Sequence, residues 1–450
     1  MHFALLFAAV SPSAPETLST ASLSIGPFAL LLLSLPVLLA GEWGMKRATW
    51  LARFNIPTPI ISGLVIALGL LYCAEFRPDW VCLQGSTSAS LWLWPVLPQW
   101  DLTPPHLTDV ERPLLILFFT CIGLNASWSV ARRGGRPLVV YLLIAGGIAA
   151  LQTVAGVLTA SLVGQSPLFG LMTSSVSLMG GFGTAAGFAP EFERAGLAGA
   201  APIGIAAAAF GVIAVGLIAG PVAGRLVRPK LGRASNAASD SLPPDPADSA
   251  PAQGLIQELR DLARTPGSTL LHLVVLLGSM KLGAFLSAYF QRAGITFPVY
   301  MGSMIVAAIA RNVHDVCRRE WLTSDRTDGI ASVSLMWLLT VVMIDLQLSQ
   351  LAHAAWPLLV ILTIQVVLTA AASYWIVFRV MGSDYEAATM SAGMIGFGLG
   401  ATSNAVATMR VLALRFGPAP RAFLIVTVVG AFLIDFINAV LITTALNIFK

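Results

Sequence analysis

Ten separate stretches of this chain stay apolar for as long as a helix needs to cross a bilayer. They are residues 24–40, 56–73, 113–130, 137–162, 201–226, 269–290, 297–310, 330–349, 356–380 and 422–446. At 1.5 Å per residue, about 20 apolar residues cover the roughly 30 Å of hydrocarbon. Inside that hydrocarbon only helices and closed barrels satisfy every backbone N–H and C=O. Long runs repeated ten times therefore predict an all-α polytopic membrane protein of about ten transmembrane helices. The charge content agrees: 11% of residues are charged, against about 25% in a soluble domain. The net charge of +4 sits in short loops between apolar runs, so no continuous basic face exists for nucleic acid.

Two further apolar stretches, 167–189 and 385–409, are packed with Gly, Ala, Ser and Thr. Such a composition makes a poor lipid-facing helix, but it suits a re-entrant hairpin buried in protein, where neighbours satisfy the freed backbone groups. Lys and Arg set the orientation. With ten spans, alternate loops on one side hold twenty of the 26 basic residues, including Lys46, Arg47, Arg132, Arg133, Arg228, Arg318 and Arg415. That side is predicted to be cytoplasmic, which puts both termini on the non-cytoplasmic side. Residues 1–23 read as an N-terminal tail. Residues 227–268, rich in Pro, Ser, Ala and Asp, read as a flexible cytoplasmic linker. The cysteines show no metal-type spacing; Cys73 and Cys82 lie on the same predicted side, which leaves a disulfide open. The five histidines form no ligand cluster.

The linker falls near the middle of the chain, and landmarks on its two sides correspond. Pro59 with Gly63 matches Pro298 with Gly302. Asn125 matches Gln347, Gln152 matches Gln365, and GGFGTAAGF (180–188) matches GFGLGATSNA (396–405). The expected organisation is a first five-span repeat, 24–226, with hairpin 167–189, and a second, 269–450, with hairpin 385–409. An odd number of spans inverts the second copy in the membrane, and inverted repeats generate alternating-access carriers.

Paired broken segments at matching positions point to a transport site. A hairpin reversing inside the membrane leaves helix-end groups without partners: the N–H ends attract a carboxylate and the C=O ends a cation. The candidate substrate contacts are Gly181, Phe182, Gly183, Thr184, Gly398, Gly400, Thr402, Ser403, Asn404 and Asp435. The glycines permit left-handed turns and close approach; the hydroxyl and amide groups suit a carboxylate or Na⁺. Asp435 and Asn438 share a helix face. With Thr184 and Thr402 they form the candidate Na⁺ set, and Gln152 and Gln365 are weaker members. Asp435 either binds a cation or substrate amine or bonds to a neighbouring helix. Asn125, Gln152 and Gln365 either line the path or tie helices together. Lys281 and Asp345 are candidates for a structural ion pair. No nucleophile–base pair or metal-ligand cluster points to an enzyme, and no filter motif to a channel. No cofactor is expected.

GGFGTAA, GFGLGAT, the RFG at 415–417, AFLIDFINA, IPTPIISGLV near Ile56 and FFTCIGLNAS near Phe118 together resemble the bacterial sodium/glutamate symporter family, in order from about residue 50 to 445. The resemblance implies ten spans, two re-entrant hairpins from opposite sides, an inner-membrane homodimer, and uptake of glutamate or a similar acidic amino acid driven by Na⁺. It also implies an elevator-like motion of a transport domain against a scaffold. Two positions depart from the best-known members: Phe182 replaces a histidine, and Ser403-Asn404 replaces a proline-threonine pair. The same fold with a di- or tricarboxylate as cargo is the alternative.

Overall fold

The computed structural model describes residues 23–47, 57–76, 81–100, 108–227, 254–293, 298–317, 321–344 and 348–449. Among them, seven helices are long and apolar enough to cross a membrane. These are α1 (Pro27–Arg47), α5 (Gly135–Leu162), α8 (Ala200–Leu226), α10 (Pro266–Arg292), α12 (Ser324–Ile344), and the two composite helices Ala354–Val380 and Pro420–Phe449. The first composite takes in α13 (Leu348–Ala372) from Ala354 onward, the second the pair α16 (Pro420–Val428) and α17 (Ile434–Phe449), and each is interrupted by a wide π turn, Ser373–Val377 and Val429–Leu433. Shorter or less apolar helices lie beside them: α2 (Thr58–Phe76), α3 (Arg112–Asn125) and α11 (Val299–Val316).

The remaining helices are α4 (Trp128–Arg133), α6 (Pro167–Leu171), α7 (Gly181–Arg194), α9 (Leu255–Ala263), α14 (Tyr385–Gly398) and α15 (Thr402–Phe416). Neither glycine-rich stretch forms a single continuous helix. α6 and α7 are separated at 172–180, and α14 and α15 at 399–401. Two small strand pairs outside the helical body join Leu23–Ile25 to Val81–Leu83 and Ser86–Thr87 to Thr108–Asp109.

The helices pack in two groups, and each takes the same places from both halves of the chain. The first contains α1, α2 and α3 together with α10, α11 and α12, with α9 laid against α12. The second contains α5 to α8 together with α13 to α17. Within each group, small residues bring backbones close. A β-carbon on Gly123 would stand 2.1 Å from the Met304 carbonyl oxygen, and one on Gly211 would stand 2.0 Å from that of Leu399. Without a hydrophobic drive between helices in lipid, such close approach supplies the packing energy. Between the groups the contacts run chiefly through α7, which touches α3 and α12.

Several sequence expectations resolve here. Cys73 is a free thiol. Asp345 and Gln347 lie outside the described residues, as does most of the linker. Lys281, buried in α10, is gripped by main chain: its Nζ donates to the carbonyls of Trp94 (2.8 Å), Leu97 (2.9 Å) and Gln99. It also sits 4.4 Å from the Trp94 ring centroid. Asn125 donates to Asp328 Oδ1 at 2.6 Å, a helix-to-helix tie inside the first group. α9, at the end of the linker, is fastened to the same group: the Leu255 N–H donates to Glu42 Oε1 at 2.5 Å, and Arg326 donates to the Asp261 carbonyl.

Candidate functional site

Each broken segment opens with a capped helix. Ser166 Oγ accepts the Phe169 N–H (3.2 Å) at the start of α6, and Asp384 Oδ1 accepts the Ala387 N–H (2.7 Å) at the start of α14. Such caps satisfy an N–H that has no intrahelical partner. The first arm then widens through Met172–Val176, and its backbone leaves helical geometry at Ser174 (φ −107°, ψ −132°). The chain re-enters a helix at Gly181, whose φ of +66° lies in the left-handed region that favours glycine. The second arm breaks after Gly398; Ala401 is extended (φ −144°, ψ 161°) and α15 begins at Thr402.

The two breaks meet. A β-carbon on Gly181 would lie 3.1 Å from the Gly400 carbonyl oxygen, so the starts of α7 and α15 come to one place from opposite halves of the chain. Helix N-termini carry about half a positive charge each and unpaired N–H groups, an arrangement that attracts a carboxylate. Asn404 is beside them, its Nδ2 2.9 Å from where a Gly400 β-carbon would sit. Ser403 is exposed and Thr402 half-buried. Thr402 Oγ1 donates to the Gly430 carbonyl at 2.5 Å, which fastens the start of α15 to the π turn just before Asp435. Single π turns in transmembrane helices free carbonyls and recur at functional sites.

A polar chain of contacts runs under the breaks. Gln152 Nε2 donates to the Gly398 carbonyl and to Thr369 Oγ1, both at 2.8 Å. Gln365 Nε2 donates to the Gln152 carbonyl at 2.7 Å. Thr153 and Ser175 hydroxyls are 2.9 Å apart, and Asn438 Nδ2 donates to the Ser175 carbonyl at 3.0 Å. Thus Gln152 is bonded to the second break, Gln365 is bonded to the Gln152 main chain, and Asn438 holds the first break. The amide oxygens of Gln152, Gln365 and Asn438 are buried and accept no hydrogen bond among the described residues. An orphaned buried acceptor costs about 1–3 kcal/mol. The three belong to two hydrogen-bonded groups, one around Gln152 and one around Ser175, joined through the adjacent residues Gln152 and Thr153, and amide oxygens are hard donors of the kind a dehydrated alkali cation takes.

The structure separates the other candidates. Asp435 is half-buried on the face of α17 that carries Asn438. Thr184 is buried and packs over Gly180. Phe182 is 7% exposed and lies in an apolar cluster with Ile60 and Met343 of the first group and Val212 of the second; its ring spans the seam. Gly183 lies under Phe118, whose ring would meet an added β-carbon at 2.5 Å. Sequence reading missed Thr369, Ser175 and the Gly430 carbonyl. Thr369 follows Gln365 by four positions and so shares its face, a signal available in the sequence. The Gly430 carbonyl is freed by a π turn that carries no composition mark.

The sodium/glutamate symporter family profile matches residues 89–418. The sodium/glutamate symporter of Haemophilus influenzae is 33% identical over 423 residues, covering 94% of this chain and 97% of that protein. That of Escherichia coli is 32% identical over 408 residues, covering 90% and 93%. Among solved structures, the sodium proton antiporter MjNhaP1 from Methanocaldococcus jannaschii overlaps 94% of this chain at 12% identity and a TM-score of 0.40, too slight a likeness to argue from.

Proposed function

This chain belongs to the sodium/glutamate symporter family, and from that membership we propose that it takes up glutamate across the membrane with Na⁺ as the coupling ion. One observation carries the siting of that activity: the two broken helices abut at Gly181 and Gly400. The converging N-termini of α7 and α15 hold the substrate carboxylates, helped by Ser403 and Asn404. Asp435, half-buried beside this region, receives the substrate ammonium or a Na⁺. The orphan oxygens of Gln152, Gln365 and Asn438 receive Na⁺. The coupling then has a simple physical basis. Na⁺ in that network satisfies three buried acceptors and stiffens the carbonyl end of α14 through Gln152, just below the break that binds the carboxylate.

The two halves of the chain act as inverted repeats, and the two broken helices as re-entrant hairpins from opposite sides. The second packing group, which holds both hairpins, moves against the first as a carrier domain against a scaffold. The protein works in the inner membrane as a homodimer, with its termini on the non-cytoplasmic side. A di- or tricarboxylate cargo gains no support from the site or from the relatives. The test is uptake of labelled glutamate into proteoliposomes: accumulation is expected only under an inward Na⁺ gradient, with competition by acidic amino acids and not by citrate or malate. Uptake indifferent to Na⁺ removes the coupling; competition by citrate with none by aspartate removes the substrate.

A further inference from the structure

A second site lies away from the hairpin breaks. An open apolar groove of about 510 Å³ runs along one face of α11 and is closed on its other side by Phe436 of α17. Ile305, Ile309, Val313 and Val316 line it, a spacing of three and four residues that puts all four on one helix face. The groove therefore crosses the seam between the two packing groups, with α11 in the first and Phe436 in the second. From Ile305 to Cys317 it is about 18 Å long at 1.5 Å per residue, close to the roughly 15 Å depth of one bilayer leaflet.

The half of the groove from Asn312 onward is flanked by α4. α4 is fastened there: the Trp128 N–H donates to Asn312 Oδ1 (2.8 Å), Asn312 Nδ2 donates to the Ala126 carbonyl (2.9 Å), and Ser127 Oγ donates to Asp315 Oδ2 (2.6 Å). This fixes Trp128, 66% exposed, beside the groove-lining Asn312, and the exposed Arg132 and Arg133 follow it about one helical turn along α4. Neither arginine makes an ion pair among the described residues, whereas Arg311 nearby is paired with Asp315 at 3.0 Å. An interfacial tryptophan and unpaired arginines belong at the headgroup level of a membrane.

We propose that this groove binds one anionic phospholipid of the surrounding bilayer, its acyl chain between α11 and Phe436 and its phosphate at Arg132 and Arg133. The apolar wall fits the chain, its length fits one leaflet, and the unpaired positive charge on the flanking α4 selects the headgroup. A lipid held there touches both packing groups at once, so its headgroup chemistry sets how readily they move past each other. The site is independent of which solute the protein carries.

Native mass spectrometry of the full-length protein, titrated with phosphatidylglycerol or with phosphatidylcholine of the same acyl chains, tests the proposal. Phosphatidylglycerol is expected to be retained as one lipid per chain, about tenfold or more in preference to phosphatidylcholine, as two basic residues near an anionic surface provide. The double variant Arg132→Gln/Arg133→Gln should abolish the preference, and Ile309→Trp, which fills the groove, should abolish retention of either lipid. Equal retention of the two lipids overturns the headgroup assignment, and retention unchanged by Ile309→Trp overturns the site. If either variant fails to fold, the wild-type comparison of the two lipids decides alone. Bismaleimide coupling of Cys317 between two chains, in a Cys73→Ser/Cys82→Ser background, would mark the groove as an interface between copies and overturn the lipid assignment as well.

Discussion

The two broken helices begin alike and are covered differently. Both start from a capped arm, and both are followed by a second arm that ends at a positive-φ glycine, Gly196 (φ +105°) or Gly417 (φ +110°). Yet α7, which follows the first break, is wedged between the packing groups. Gly183 lies under Phe118, Gly187 is within reach of Phe119 and Tyr300, and Phe182 is closed in with Ile60 and Met343. The start of α15, after the second break, meets no such wall: Ser403 is exposed, and the principal fixed contact of Thr402 is with Gly430 in its own group. Units with corresponding sequence thus stand in unequal surroundings. An alternating-access carrier needs that inequality in any one state, because closing one side while opening the other is what the cycle consists of.

The unequal covering of α7 and α15 makes substitutions at the two places differ in effect. The largest effect is expected from Gly183→Leu, since even a β-carbon there meets Phe118 at 2.5 Å. Glutamate counterflow in proteoliposomes should fall by up to about a hundredfold while the protein still extracts as a folded species; overpacking of this kind costs about 1–3 kcal/mol in any state that keeps α7 against α3. A leucine at Ser403, facing open space, should keep a measurable rate; equal losses at the two positions would mean the broken helices are not covered differently. Next is Gln152→Leu. It strands the Gly398 carbonyl and removes an orphan oxygen, so the Na⁺ concentration for half-maximal uptake should rise about tenfold or more, given about 1–3 kcal/mol per stranded group. An unchanged Na⁺ dependence would take the buried network out of coupling. Cysteines tell the two tips apart directly: Ser403→Cys should react with a membrane-impermeant maleimide at least about tenfold faster than Thr184→Cys, and Na⁺ with glutamate should narrow the gap if the tips close on substrate. The smallest effect is that of Thr402→Val, which deletes the bond to Gly430; a net hydrogen bond is worth about 1 kcal/mol, so the melting temperature should drop by a few degrees.

Much of this was legible in the chain, for physical reasons. Apolar runs are long because a bilayer is thick, and Gly-Thr-rich runs stand out because lipid-facing helices cannot use them. Gln152 and Gln365 announced themselves as polar groups in spans, although only the fold shows the Gln365 side chain reaching the Gln152 main chain. The sorting of helices into groups was not legible, because it depends on which small-residue faces interlock, as at Gly123 with Met304. The π turn at Val429–Leu433 was hidden too; its residues, VGAFL, would serve equally well in an unbroken helix. Phe182 was read as a ligand contact from its place in a motif. Its neighbours Ile60 and Met343 lie far from it in sequence, so nothing local revealed the apolar seam it fills.

Among the described residues, the second half of the chain opens at α9, whose first residue, Leu255, is bonded to Glu42 of the first packing group. α9 also packs along α12, so this half is seated on the first group before its first long helix, α10, begins. That seat owes nothing to where α8 ends. Supplying residues 1–227 and 254–450 as two separate polypeptides should therefore leave a protein that still assembles and still carries its cargo.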